Sequence, residues 1–121
     1  NKAMMDMPTL MSKFLSLGMP LTEVIRASSA NPASQIGHNE LGQLSVGAIA
    51  DIAVLHLDTG SFRYRDAQGG AVEATQRLSA ELTLKSGRVM WDWNSRAAAD
   101  YKTLDPRYGA RDVEKLLTPP E

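Results

Sequence analysis

The chain has no cysteine, so disulfides and cysteine-ligated metal sites are excluded from the start. It has only two histidines, which leaves little material for a histidine-built metal centre or a chain of proton relays. It has no excess of basic charge: the net charge is −1, and a nucleic-acid partner would demand a clustered positive surplus. No apolar run approaches the roughly 20 residues that cross a bilayer. The methionine-rich start, Met4, Met5 and Met7, lacks both the apolar core and the basic lead of a secretion signal. Together these absences point to a cytoplasmic protein with neither nucleic acid nor membrane as partner. What is present is ordinary globular material, 43% hydrophobic and 22% charged, in 121 residues. That length suits one domain or a piece of a larger one, and a start at Asn1 suggests a fragment.

Apolar residues at Met7, Leu10, Met11, Phe14 and Leu15 follow helical spacing and predict a helix over Met7–Leu17. Asp6 is placed to cap it, Pro8 suits its first turn and Gly18 its end. Leu21, Val24, Ile25 and Ser28 predict a second helix, stopped by Asn31-Pro32, with a short third turn from Ala33 to Ile36 ended by Gly37. Leu41 to Leu57 then changes the pattern. Gly42 and Gly47 flank Leu44, which reads as a short strand or arch, and Ser45-Val46-Gly47 is a turn signal. Ala50 to Leu57 reads as a strand buried on both faces. Asp58-Thr59-Gly60 reads as a turn, Ser61 to Arg65 as a half-wet strand, and Asp66 to Gly70 as a loop. Leu78 to Lys85 alternates as a strand, Ser86-Gly87 as a hairpin loop, and Val89 to Trp93 returns. Beyond Asn94 a tail carries two weak helical patches, Arg96 to Lys102 and Arg111 to Leu117. Helices followed by four or five strands make an α+β order.

The chemistry-bearing residues are sparse. His56 lies in a buried-looking strand and reads as a satisfied or rim-facing histidine; His38 lies in a surface loop. There is no His-x-His and no His-Glu-x-x-His. Ser28-Ser29 lacks the sharp elbow and positioned base of a nucleophile. Gly42-x-x-x-x-Gly47 lacks the Lys-Ser/Thr of a phosphate loop and precedes a strand instead of a helix. Glu73-Ala-Thr-Gln-Arg reads as solvated loop. Trp91 and Trp93 share one strand face; they could stack on a sugar or a base, but read first as core or interface aromatics. Met11 to Ser29 has the outline of a helix-turn-helix, yet its second helix offers only Arg26 as a cation.

As a set, Leu21-Thr-Glu-Val-Ile-Arg-Ala-Ser-Ser-Ala-Asn-Pro-Ala, Gly37, Leu41-Gly-Gln-Leu-Ser-Val-Gly-Ala-Ile-Ala-Asp-Ile-Ala-Val-Leu and Leu84-Lys-Ser-Gly-Arg-Val-Met-Trp resemble the C-terminal end of the amidohydrolase superfamily. These are metal-dependent TIM-barrel hydrolases that include dihydroorotases and deacetylases. Met11-Ser-Lys-Phe-Leu-Ser-Leu-Gly-Met-Pro and Trp91-Asp-Trp-Asn-Ser-Arg resemble the dihydroorotase or deacetylase branch.

The resemblance implies the last helices of a TIM-type barrel (residues 1–40), an incomplete composite β-sandwich (41–94) and a C-terminal tail (95–121). It places the superfamily's histidine and lysine ligands, and the aspartate of the eighth barrel strand, upstream of residue 1. Asp6 sits where a cap belongs and takes no ligand role. The chain is thus expected to hold no catalytic or metal-ligating residue; Asn31, Pro32, Gly42, Gly47, Asp51 and Gly87 are expected to be structural, Asp51 bonding turn N–H groups. The implied parent hydrolyses an amide, a cyclic amide or an acyl bond with one or two divalent metals, zinc foremost, while this segment alone is inactive. The implied partner is the missing N-terminal part, or another copy in a homo-oligomer. The rival expectation is a non-catalytic module that self-associates through open strand edges.

Overall fold

The computed structural model describes residues 5–104 of the chain. Three helices come first: α1 (Met7–Ser16), α2 (Leu21–Ser28) and α3 (Ala30–Gln35). Three strands follow, β1 (Ile52–Arg65), β2 (Ala71–Lys85) and β3 (Arg88–Asp92), in one antiparallel sheet of order β1-β2-β3.

The first helix starts and stops on local chemistry. Asp6 accepts the Thr9 N–H at 2.7 Å, and Pro8 sits in the first turn, where no N–H is needed. At the other end Gly18 takes φ +90°. Its N–H reaches the Leu15 carbonyl, and the Met19 N–H reaches Phe14 at 3.1 Å, closing the turn in a Schellman pattern. The second boundary differs from the expected one. The helix breaks at Ser29 (φ −137°, ψ −83°), and Asn31 and Pro32 lie inside α3. Proline is tolerated there because it is the third residue of the helix, among the N–H groups that have no partner within a helix.

The sheet has fewer, longer strands than the glycine and Asx signals suggest. Asp58-Thr59-Gly60 is not a turn: β1 runs straight through it. Thr59 pairs with Gln76 and Phe62 with Ala74, so Gly60 and Ser61 face the single residue Thr75 in a β-bulge. Glu73 to Arg77 is likewise strand, not loop, and belongs to β2. A second bulge leaves Glu81 unpaired between Ala80 (opposite Leu55) and Leu82 (opposite Val54). Ser86 and Gly87 have φ of +49° and +76°, both positive, as a type I′ hairpin requires. Leu44 forms no strand; residues 41–51 cross from helices to sheet in turns, one closed by the Ala48 N–H on the Ser45 carbonyl at 3.0 Å. Near the tail, Tyr101–Thr103 makes one 3-10 turn where a longer helical patch was expected, and the second patch, Arg111 to Leu117, lies outside the described residues.

The core is a narrow seam under α1. Met11, Val24 and Leu78 are buried together, with Leu15, Met19, Leu21, Leu55 and Leu57 packed around them. Ser12 locks this seam: its Oγ donates to the Pro8 carbonyl (2.6 Å) and accepts the Leu78 N–H (2.8 Å). A strand amide that would otherwise be orphaned in the seam is thus satisfied by a helix hydroxyl. Contrary to the expectation of burial on both faces, Val54 and His56 on β1 are exposed.

Candidate functional site

Alternation along β1 puts His56 and Asp58 on one face, and the ladder sets Ser79 opposite His56 and Arg77 opposite Asp58. The opposed charges meet. Asp58 Oδ2 accepts from Arg77 Nη2 (3.1 Å), Arg77 Nε (3.3 Å) and Ser79 Oγ (3.5 Å), while Asp58 Oδ1 lies 3.2 Å from His56 Nε2. The Arg77 guanidinium also lies over the Phe62 ring, 4.7 Å from its centroid.

A second network grows from the bulge. Glu81 is only 7% exposed although charged. Asn94 Nδ2 donates to both of its carboxylate oxygens (2.9 and 3.0 Å), and Arg96 Nε donates to Oε1. The Trp93 N–H donates to the Glu81 carbonyl at 2.9 Å. The Asn94 amide first, and then Arg96, hold the Glu81 carboxyl below the usual carboxylate range, and Glu81 in turn raises the Arg96 guanidinium. Asp92 is lowered by the N–H of Ala97 and, beyond an opposing desolvation, by that of Arg96.

These two networks line one groove of about 790 Å³. It opens beside the N-terminal end of α1 (Asp6, Pro8, Thr9), crosses the sheet and ends at Trp91, Trp93, Asn94 and Arg96. The two tryptophan rings stand 5.8 Å apart at a tilt of 47°. Neither is a core residue: Trp91 is 48% and Trp93 67% exposed.

The groove can bind and orient, but it does not hold hydrolytic machinery. In a serine triad the histidine stands between serine and aspartate; here the aspartate stands between Ser79 and His56, so no base reaches the hydroxyl. Among the described residues, no three His, Asp or Glu side chains gather where a metal ion could sit. The other histidine, His38, pairs with Glu40 at 2.7 Å on an exposed loop and lowers that carboxyl.

The residues expected to be structural fall into two clamps. Gly42 (φ +68°) presses on the joint between α2 and α3; a Cβ there would stand 2.7 Å from the Ser29 carbonyl carbon and oxygen. Asn31 and Pro32 lie in the helix that begins at this joint. Asp51 Oδ1 accepts the Ser86 N–H at 2.7 Å, and the Ala50 carbonyl accepts the Gly87 N–H at 3.0 Å, which ties the β2–β3 hairpin to the start of β1. Gly47 supplies positive φ in the turn between them.

Sequence reading missed the groove. It found no neighbour for His56 because Asp58 was read as part of a turn; once both are on a strand, the i, i+2 spacing is itself the signal. The pairing of residue 58 with 77, and of 81 with 94 and 96, had no local signature.

Residues 1–90 match the amidohydrolase family, and the chain belongs to it. A deacetylase of Brucella anthropi is 41% identical over 64 residues, and a deacetylase of Agrobacterium fabrum strain C58 is 39% identical over 64. Each alignment covers 53% of this chain and 16% of the relative, so the chain matches about one sixth of their length. Among solved structures, a dihydroorotase superposes with TM-score 0.65 at 29% identity, covering 72% of this chain and 24% of the other. An adenine deaminase superposes with TM-score 0.67 at 23% identity, covering 72% and 23%, which speaks to fold alone. The family is generally metal-dependent, but the described residues do not fit a metal ion. No helix among them is long and apolar enough to cross a membrane.

Proposed function

We propose that this chain is the closing, C-terminal part of a metal-dependent amidohydrolase of deacetylase type, with α1 to α3 as the last barrel helices and β1 to β3 as one part of a composite β-sandwich. The observation that carries the reading is the identity with two deacetylases across 64 residues. The unfinished surface supports it. Phe14 and Ile25 on the helices, and Val54, Val72, Val89 and Met90 on the strands, stay exposed around a seam of three buried apolar side chains. That is much apolar surface for a chain that folds by itself, and it suits contact with the rest of a barrel and sandwich. The metal ligands and the water-activating chemistry then lie on that other part, and zinc is the metal of choice. The role of this segment is to close the barrel and to hold the sandwich through the Gly42 and Asp51 clamps, most plainly in the cytoplasm.

A chimaera tests this. The matched segment of the Brucella anthropi deacetylase is replaced by the corresponding residues of this chain. Metal content and deacetylase activity are expected to persist in the chimaera, and the isolated chain is expected to have neither. Stoichiometric tightly bound zinc or amide hydrolysis in the isolated chain would overturn the reading, as would a folded chimaera without activity. The competing module that pairs through the free edges of β1 and β3 requires a discrete oligomer of the isolated chain.

A further inference from the structure

The hydrogen-bonding capacity of the groove is lopsided. Within it the Asp58 and Glu81 carboxylates are engaged, both oxygens of each having partners within the chain, while Asp6 at its mouth accepts the Thr9 N–H through Oδ1. Its donors are not exhausted. A guanidinium carries five N–H groups; Arg77 commits Nε and one Nη2 N–H to Asp58, and Arg96 commits Nε to Glu81. The other guanidinium N–H groups have no partner among the described residues. Arg77 is also held in place, by the Asp58 fork and by the Phe62 ring, so little side-chain freedom is left to lose on binding. In the same groove, Trp91 and Trp93 expose apolar ring surface that the core does not use.

We propose that this groove binds a small organic carboxylate with an aromatic or alicyclic body: the free guanidinium N–H groups meet the carboxylate, and the two indole rings carry the body. The donor–acceptor balance sets the sign of the ligand. Beside the two arginines a cation finds the Asp58 and Glu81 carboxylates already taken, and a neutral ring compound forgoes the charge-assisted fork. The volume, about 790 Å³, suits a small molecule. The proposal goes beyond the hydrolase reading, and its readout is separate from that reading.

Trp91 and Trp93 are the only tryptophans in the chain, so their two indole N–H cross-peaks in a ¹H–¹⁵N NMR spectrum report on the groove directly. The full chain is titrated with benzoate, benzylammonium and benzyl alcohol, which share a ring and differ in charge. Benzoate is expected to move both cross-peaks saturably, and the other two to bind at least about tenfold more weakly. Arg77→Gln should weaken benzoate by about tenfold or more, and Arg77→Lys by less, since it keeps the charge and loses the fork. Arg63→Gln, in an ion pair outside the groove, should change nothing. The site is refuted if benzylammonium or benzyl alcohol matches benzoate, if no probe moves the indoles, or if Arg77→Gln binds benzoate as the parent chain does. Should Arg77→Gln collapse the spectrum, the Arg77→Lys result decides in its place: unchanged affinity overturns the proposal. Chimaera activity does not enter this readout, so either reading can fail without the other.

Discussion

The seam beneath α1 and the groove beside it are built from the same strands and held by different physics. In the seam, Leu78 on β2 meets Met11 and Val24, and the gain comes from apolar area removed from water. In the groove, Arg77, one residue earlier on the same strand, meets Asp58 at a half-open surface where ion pairs contribute little each. One strand therefore carries stability on one side chain and recognition capacity on the next. Changes in the seam should cost the fold, and changes in the groove should cost binding while sparing the fold.

The sharpest way to break that contrast is Leu78→Ala. It empties a site buried against two helices, and thermal or urea unfolding is expected to show a loss of about 2–5 kcal/mol. A loss below 1 kcal/mol, within the range of ordinary surface changes, would mean that the seam is not the core. Gly42→Ala comes next. The added Cβ would press on the Ser29 carbonyl from a backbone at φ +68°, so a loss of about 1–3 kcal/mol is expected, with hydrogen exchange rising at the α2–α3 joint before it rises in the sheet. Ser12→Ala leaves the Leu78 N–H buried without an acceptor and should cost a similar amount, about 1–3 kcal/mol; Ser12→Thr, which keeps the hydroxyl, should lose less if the methyl is accommodated.

The smallest effect belongs to the groove and is seen in its pH dependence. The Glu81 carboxyl is lowered in the folded chain, so the folded state binds fewer protons than the unfolded one at acid pH. Its contribution is therefore fully present above the ordinary glutamate value of about 4.3 and is lost as pH falls through the lower folded value. The difference in melting temperature between the parent chain and Glu81→Gln should be constant near neutrality and shrink on acidification below that range. A difference that widens with acid would reverse the assignment.

Local elements were legible where one short signal decides them. Asp6, Pro8 and Gly18 set the bounds of α1, and Ser86-Gly87 sets the hairpin, because caps and tight turns depend on residues within one turn of each other. The long strands were harder to read. Gly60 carries the mark of a turn, and here it marks a bulge, since a glycine relieves a bent strand as well as it reverses a chain. That single misreading split β1, detached Asp58 from His56 and hid one half of the groove. The other half was hidden for a different reason: Glu81 finds its partners in Asn94 and Arg96, which reach it only after β3 has returned along β2.

By itself the sequence determined the family, the α-then-β order, the ends of α1 and the β2–β3 turn, because each rests on residue types at short, fixed spacing. Tertiary structure alone decided that Ser12 satisfies a strand amide, that Gly42 lies against Ser29, that the turn Asp51 bonds is the β2–β3 hairpin, and that two arginines and two tryptophans share one groove. Those contacts join residues 13 to 66 positions apart, and their partners are chosen by strand register and by the bulges that shift it.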